Sequence, residues 1–145
     1  MILSHDSPNV GLVGDLKFRN GLDMRSGAEG FGGRSGLDIS PDGRRLIAVS
    51  DRGVWLTADL DYDRTGALSG ISNAHLIPVR GSDGQPLKGR KNTDSESIAR
   101  LTDGTLVVGF EQSHRLRRFA FPGQPAQRMR TPLVLGTSPP NGGAE

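Results

Sequence analysis

Cysteine is absent from the 145 residues of the chain. Disulfide bonds, thiolate zinc sites and a cysteine nucleophile are therefore excluded. The three histidines, His5, His75 and His114, have no paired spacing of the kind that zinc ligands show, so zinc is a poor fit. No Gly-x-Ser-x-Gly motif occurs, and the sequence thus lacks the nucleophile elbow that many serine hydrolases use.

Long apolar runs are also missing. None approaches the roughly 20 residues that a helix needs to cross a membrane, so no membrane insertion is expected. The first residues, MILSHDSPNV, contain no basic segment followed by an apolar one, and no signal peptide is visible in this chain. The sequence itself therefore does not identify a compartment.

Aromatic residues are scarce, at 5% of the chain. Basic residues cluster at 115–118 and 128–130, but a nucleic-acid groove would interleave such residues with exposed aromatic side chains. The alternation at these positions is instead typical of a strand with one solvent-facing side, where arginines protect a sheet edge. We therefore expect no nucleic-acid partner.

Glycine and proline are abundant, with 21 and 9 residues. Both disfavour helix interiors, and three Asp-Gly pairs at 42–43, 83–84 and 103–104 favour tight turns. The apolar or alternating runs around these pairs predict short strands. We place them at 36–40, 45–51, 54–60, 74–79, 96–101, 105–111, 115–121 and 131–136.

The strands form a repeat. SGLDISPDGRRLIAVSD aligns with ESIARLTDGTLVVGFE, so that Ser35 corresponds to Glu96 and Asp51 to Glu111, with an offset of 61 residues before the turn and 60 after it. Four strands in roughly 40–50 residues are typical of a β-propeller blade. The predicted fold is all-β, with about two four-stranded blades of a partial propeller and with Trp55 packed between them. A small stand-alone β-sandwich is the alternative.

The predicted domain covers residues 1–145 as the N-terminal part of a single propeller. Blade 1 spans about 31–80 and blade 2 about 92–136. NGGAE at 141–145 repeats the Asn-x-x-x-Glu spacing of NTDSE at 92–96, which predicts the start of a blade 3. Because a propeller usually closes with about 4–8 blades, two blades would leave open sheet edges through which the chain could self-associate.

Acidic residues bracket the second repeat. A two-residue turn at 103–104 would place Glu96 directly opposite Glu111, with Ser35 and Asp51 in the equivalent positions of the first repeat. The first strand of each blade lines the central channel, so these positions should meet around one mouth of it. We therefore expect a single acidic rim.

Opposed carboxylates destabilise a sheet unless a proton, an arginine or a cation relieves their repulsion. Oxygen ligands from several loops favour Ca²⁺, and Arg34 and Arg52 beside the rim would suit a phosphate ester. The alternatives are that these arginines neutralise the carboxylates, or that the rim is a solvated, turn-rich surface. The candidate metal ligands are Asp51, Asp94, Glu96, Glu111, Asn141 and Glu145.

The same residues resemble those of the phytase-like domain family, whose members are often described by an esterase-like activity of phytase. The similarity begins near Leu16 and rests on FGGRSGLDISPDG, SDRG, DSESIA, GTLVVGFE and NGGAE, in that order. It implies a β-propeller hydrolase that is periplasmic or secreted, and β-propeller phytases use calcium to hydrolyse phosphate monoesters. Ser97 and Arg34 depart from the family, which usually has glycine and an apolar residue there.

These observations predict a calcium-dependent hydrolase domain that acts on a small phosphate ester or another ester. Glu96 and Glu111 would be the catalytic carboxylates, and Arg34 and Arg52 would bind the substrate. The 145-residue portion alone is expected to be inactive. The alternatives are a non-catalytic binding or scaffold domain with a structural cation, and a metal-free carboxylesterase whose nucleophile lies outside this sequence.

Overall fold

Ten strands and one helical turn form the regular structure of residues 12–13, 15–18 and 20–129, which are the residues that the computed structural model describes. Within these residues, no helix is long and apolar enough to cross a membrane. The strands are β1 Leu12–Val13, β2 Leu16–Lys17, β3 Arg34–Ile39, β4 Arg45–Ser50, β5 Val54–Tyr62, β6 Leu68–Pro78, β7 Ser95–Arg100, β8 Leu106–Phe110, β9 Arg115–Phe119 and β10 Gln127–Arg128, and the helical turn is α1 Arg90–Thr93.

Two four-stranded antiparallel sheets dominate the structure. Their strand orders are β3-β4-β5-β6 and β7-β8-β9-β10, while β1 and β2 pair with each other. Each sheet is a simple up-and-down meander, which is the strand order of a β-propeller blade. The predicted all-β class with two four-stranded units is therefore confirmed. The predicted strand at 131–136 and the start of a blade 3 at 141–145 lie outside the described residues.

The sequence repeat is also a structural repeat. Strands β3 and β7 begin 61 residues apart, at Arg34 and Ser95. These two residues pair with Ser50 and Phe110 respectively, which are 60 residues apart. In both sheets the register shifts at the next residue, so that the first strand of each sheet bulges at the same place. The alignment of the two segments is therefore correct.

The predicted register within each hairpin is wrong by one residue. The amide of Gly104 donates to Leu101 O at 2.9 Å and that of Leu101 to Thr105 O at 2.8 Å, so three residues, 102–104, connect the strands. Gly104 has φ +83°, as expected for a type I turn closed by a left-handed glycine. Glu96 lies in the bulge rather than opposite Glu111. In the first sheet Ser35 likewise lies in a bulge and is not opposite Asp51.

Residues 61–73, which lengthen the first repeat, extend the β5–β6 hairpin beyond the rest of the first sheet. Asp63 Oδ1 accepts a hydrogen bond from the amide of Thr65 at 2.8 Å and from that of Ala67 at 3.0 Å, which stabilises the turn. A register shift between Thr57 and Asp59 bends β5 against β6. The added length is therefore absorbed by one hairpin and leaves the order of the strands unchanged.

The two sheets pack face to face on a shared apolar core. Trp55 and Phe119 are fully buried at its centre, with ring centroids 5.2 Å apart and ring planes at 83°. The prediction that Trp55 packs between the sheets is confirmed. The remaining buried members of this core are Ile47, Val49, Val79, Leu106, Val108, Phe110 and Ala126. A smaller core on the opposite face of the first sheet is covered by Met24 and Phe31.

The first strands of the two sheets, β3 and β7, lie side by side. Ser95 Oγ donates a hydrogen bond to Ser50 O at 2.6 Å, and Ser35 Oγ donates one to Ser95 O. A Cβ atom added to Gly36 would lie only 2.9 Å from the backbone nitrogen of Ile98, so glycine permits this close approach. The loops before β7 and after β4 and β8 are thereby brought to one rim.

Candidate functional site

The rim where β7 begins and β8 ends brings three acidic residues together. Oxygen atoms of Asp94, Glu96 and Glu111 all lie within 4.8 Å of one another. Asp94 is only 3% exposed, whereas the two glutamates face solvent. We call these three residues the acidic cluster. The expectation that the acidic residues of this repeat gather at one rim is therefore correct, although their strand pairing differs from the predicted one.

The backbone explains how the cluster forms. The amide of Glu111 donates to Asp94 O at 3.0 Å, so these two residues face each other just beyond the ends of β7 and β8. Glu96 is the extra residue of the bulge between Ser95 and Ser97. Because a bulge can redirect a side chain, Glu96 can join the pair without occupying a regular position opposite either residue.

No basic side chain in the described residues forms an ion pair with the acidic cluster. Although Glu96 is exposed, partial desolvation raises the pKa of its carboxyl above the ordinary value, and the negative charges of Asp94, Glu111 and Asp51 raise it further, as does a hydrogen bond with the Asp94 side chain. The repulsion can therefore be relieved by a proton or by a cation from outside.

Asp51 brings a fourth carboxylate to the rim from the first sheet. Its amide donates to Gly33 O at 3.0 Å, and its Oδ1 is buried without a hydrogen-bond partner in the described part of the chain. A Cβ atom on Gly33 would lie 2.0 Å from that oxygen, and Gly33 has φ +57°. Since the charge of Asp51 acts on the pKa of Glu96, the two sheets place their acidic residues close to each other.

A tight contact holds the Asp51 turn against α1. Gly53 has φ +70°, and a Cβ atom there would lie 2.9 Å from Thr93 Cβ. The amide of Gly53 donates to Ser50 O at 2.9 Å and its carbonyl accepts from Val79 N at 2.8 Å. The turn that carries Asp51 and the helical turn that precedes Asp94 are therefore in direct contact.

The two predicted substrate-binding arginines have different surroundings. Arg34 donates to Val54 O at 3.0 Å and to Gly30 O at 3.3 Å, and its guanidinium carbon lies 5.6 Å from the centroid of the Phe31 ring. Burial lowers the pKa of Arg34, although the charge of Asp51 opposes this. Arg52 is exposed at the same rim. Two predicted metal ligands, Asn141 and Glu145, lie outside the described residues.

Two features of the rim depend on contacts between residues that are distant in the sequence. The glycine-rich segment 27–36 was visible, but the contact that makes Gly33 part of the site involves Asp51, 18 positions further along the chain. The sequence predicts a solvent-facing basic strand at Arg115, yet its guanidinium donates to Asn92 O just ahead of Asp94. The sequence shows the glycines and the arginine, but it does not show which distant residues they contact.

The raised pKa of Glu96 predicts a pH-dependent effect on stability. A carboxyl with a higher pKa in the folded state contributes less stability once it ionises, so that stability is lost as the pH rises from its ordinary pKa through the raised one. Glu96→Gln should therefore raise the melting temperature of the metal-free protein at pH 7 and leave it unchanged at pH 3. Thermal unfolding in EDTA at both pH values measures this.

Glu29→Gln is the matched control for that experiment, because Glu29 is exposed and lies outside the acidic cluster. The control should behave like the unaltered protein at both pH values. An equal change for Glu29→Gln and Glu96→Gln at pH 7 would show that the effect is one of net charge and not of the local repulsion.

The family model named Phytase-like, with the description "Esterase-like activity of phytase", matches residues 29–145. This range includes both sheets and all the candidate site residues. The chain matches no curated protein and no solved structure.

Proposed function

From the premise that this chain belongs to the phytase-like family, we propose that it supplies the acidic rim of a calcium-dependent hydrolase that acts on phosphate esters. The observation that carries the proposal is the acidic cluster, whose oxygen atoms lie within 4.8 Å of one another without a basic partner in the described residues. Such an arrangement suits a cation, because like charges at this distance oppose folding when nothing neutralises them.

The chemistry of the cluster fits Ca²⁺. This ion takes 6–8 oxygen ligands in a flexible geometry, and carboxylates are its commonest protein ligands. Asp94, Glu96, Glu111 and Asp51 would hold it from two sheets, and the orphaned Oδ1 of Asp51 supports this assignment. Asn141 and Glu145 are proposed as further ligands on the basis of the Asn-x-x-x-Glu spacing.

A bound calcium ion would polarise the phosphoryl group of the substrate and neutralise part of its charge. The two glutamates of the cluster are exposed, so they would face a water molecule that approaches the ester from solvent. A carboxylate in that position accepts the proton that the water loses during attack, as a general base does. Glu96 and Glu111 are therefore the proposed catalytic carboxylates.

Substrate binding would fall mainly to Arg52. Its side chain is exposed at the rim, and it has no ion pair within the described residues. A guanidinium can bind a phosphate through two parallel hydrogen bonds. Arg34 would add positive charge behind Asp51, because its terminal nitrogens already donate to backbone carbonyls.

The test uses the protein encoded by the complete reading frame and a generic phosphomonoester such as p-nitrophenyl phosphate. We expect hydrolysis in calcium and loss of activity in EDTA, with restoration by added calcium. Glu96→Ala and Glu111→Ala should each lower kcat about 100-fold or more, in line with the contribution of a general base. Glu29→Ala, at an exposed position outside the cluster, should retain activity. Full activity of both cluster variants would overturn the proposal.

A non-catalytic binding or scaffold domain is the second candidate. It is supported by the position of the acidic residues, since Asp51 follows a strand of the first sheet and Asp94 precedes one of the second. A cation between them would link the sheets without any reaction. Calcium would then raise the melting temperature while no phosphate ester or carboxylate ester is hydrolysed.

Export to the periplasm or outside the cell is a further part of the proposal, and it rests on the family resemblance. Detection of the protein in the periplasmic or extracellular fraction would support it, and detection only in the cytoplasm would contradict it. Self-association through sheet edges also stays a proposal, which the molecular mass in solution tests.

A further inference from the structure

Arg115, the first residue of β9, contacts an aromatic ring and two backbone carbonyl groups. Its guanidinium carbon lies 4.1 Å from the centroid of the Phe110 ring, and Phe110 is only 5% exposed. One terminal nitrogen donates to Ser113 O at 3.0 Å and the other to Asn92 O at 2.5 Å. The side chain therefore bridges two loops that are separate in the sequence.

The two carbonyl groups have matching positions relative to the acidic cluster. Asn92 precedes Asp94 by two residues, and Ser113 follows Glu111 by two residues. The backbone bond from Glu111 N to Asp94 O, at 3.0 Å, joins the same two loops. Arg115 thus links the two segments that extend beyond the open end of the β7–β8 hairpin.

An arginine is well suited to this bridge. The guanidinium is planar, has donors in a rigid fork and can stack on an aromatic ring while it donates to two acceptors. Burial lowers the pKa of Arg115, and the nearby charge of Arg117 adds to this. No carboxylate of the described residues forms an ion pair with Arg115. Its role is therefore not to neutralise an acidic neighbour.

We propose that Arg115 is a positioning residue that holds the Asp94 and Glu111 loops together and so sets the spacing of the acidic cluster. The effect on cation binding rests on the proposed function, because it assumes that the cluster binds calcium. The effect on the loops does not rest on the proposed function, since the bridge is formed by protein atoms alone.

Calcium binding tests the first part. Isothermal titration of the purified protein with CaCl₂ should show that Arg115→Ala weakens calcium binding about 10- to 100-fold, as the loss of an orienting contact behind a metal ligand does. Arg115→Lys should also weaken it, because a single ammonium cannot donate to both carbonyls while stacked on Phe110. Arg117→Ala removes the same charge two residues away and should bind calcium like the unaltered protein.

Hydrogen exchange in EDTA tests the second part. Arg115→Ala should accelerate exchange of the Glu111 amide, whose acceptor is Asp94 O, and leave the amide of Val108 in the middle of β8 unchanged. Unchanged exchange at Glu111, or equal acceleration at both amides, would overturn the positioning role. The positioning role would also be overturned if Arg117→Ala weakened calcium binding as strongly as Arg115→Ala does.

The two experiments separate this inference from the proposed function. An unaltered protein that does not bind calcium would overturn the cation site. Selective acceleration at Glu111 in Arg115→Ala would nevertheless support the positioning of the loops by Arg115. Calcium binding of equal strength in the unaltered protein and in Arg115→Ala would instead overturn the inference and leave the proposed cation site standing.

Discussion

Trp55→Ala is expected to destabilise the chain by about 3–5 kcal/mol, the usual cost of truncating a buried aromatic residue to alanine. Trp55 is fully buried between the two sheets, where its ring meets Phe119 edge to face at 5.2 Å. Its loss would leave a cavity in the only apolar layer that joins the two sheets in the described residues. The free energy of unfolding from urea titration measures the effect.

The repeat supplies a matched control. Leu116 pairs with Gly109 in the second sheet as Trp55 pairs with Val49 in the first, so the two residues occupy equivalent positions. Leu116 is 42% exposed, however, and its side chain is not in the shared core. Leu116→Ala in the same chain should therefore cost about 1 kcal/mol or less. Similar losses for the two variants would mean that the sheets do not pack on Trp55.

The strands and their grouping could be predicted because the signals for them are local. Asp-Gly pairs mark the hairpin turns, and the apolar runs between them are too short for helices. Two copies of the same pattern then identify the sheets, since one blade cannot bury its own apolar face. The corresponding start positions of β3 and β7 confirm that the repeat carried this information.

The register could not be read from the same Asp-Gly pair. Two residues or three can connect such strands, and the difference depends on what the aspartate does. Asp103 Oδ1 accepts hydrogen bonds from the Thr105 amide at 3.0 Å and from its hydroxyl at 2.6 Å, which places the aspartate inside a three-residue loop. The register therefore depends on a side-chain contact that the Asp-Gly pair alone does not predict.

The bulges had no visible signal either. Ser35 and Glu96 are chemically different, and yet each is the extra residue at the same point of its strand. The cause is the neighbouring strand. Ser35 Oγ donates to Ser95 O across the interface between the sheets, and Gly36 lies against the backbone of Ile98. Contacts of this range are not encoded in a local pattern.

The acidic cluster was predicted despite the wrong register, because a shift of one residue does not move Glu96 and Glu111 away from the same end of the hairpin. What the sequence left open is the burial of each carboxylate. Asp94 is 3% exposed while Glu96 and Glu111 face solvent. Thr93, the residue before Asp94, lies against Gly53 in the turn between β4 and β5. The surroundings of the three carboxylates therefore differ in a way that only the packed structure reveals.

Asp94→Asn is expected to weaken calcium binding about 100-fold or more, since even the loss of a contact behind a metal ligand costs about 10- to 100-fold. The substitution keeps the size of the side chain and removes only its charge. Asp94 should matter most within the acidic cluster because it is buried and because its backbone carbonyl accepts the Glu111 amide, which holds the backbone that carries the carboxylate in place. Titration of the purified protein with CaCl₂ measures the change.

In EDTA the same substitution should have the opposite effect. A buried carboxylate beside two other acidic groups opposes folding when no cation is bound, so the melting temperature of metal-free Asp94→Asn should equal or exceed that of the unaltered protein. Glu29→Gln, at an exposed position outside the acidic cluster, is the control and should change neither quantity. A variant that binds calcium normally would show that the cation is held elsewhere. If Asp94→Asn loses calcium binding but keeps hydrolysis, the cation has a structural role and the reaction does not require it.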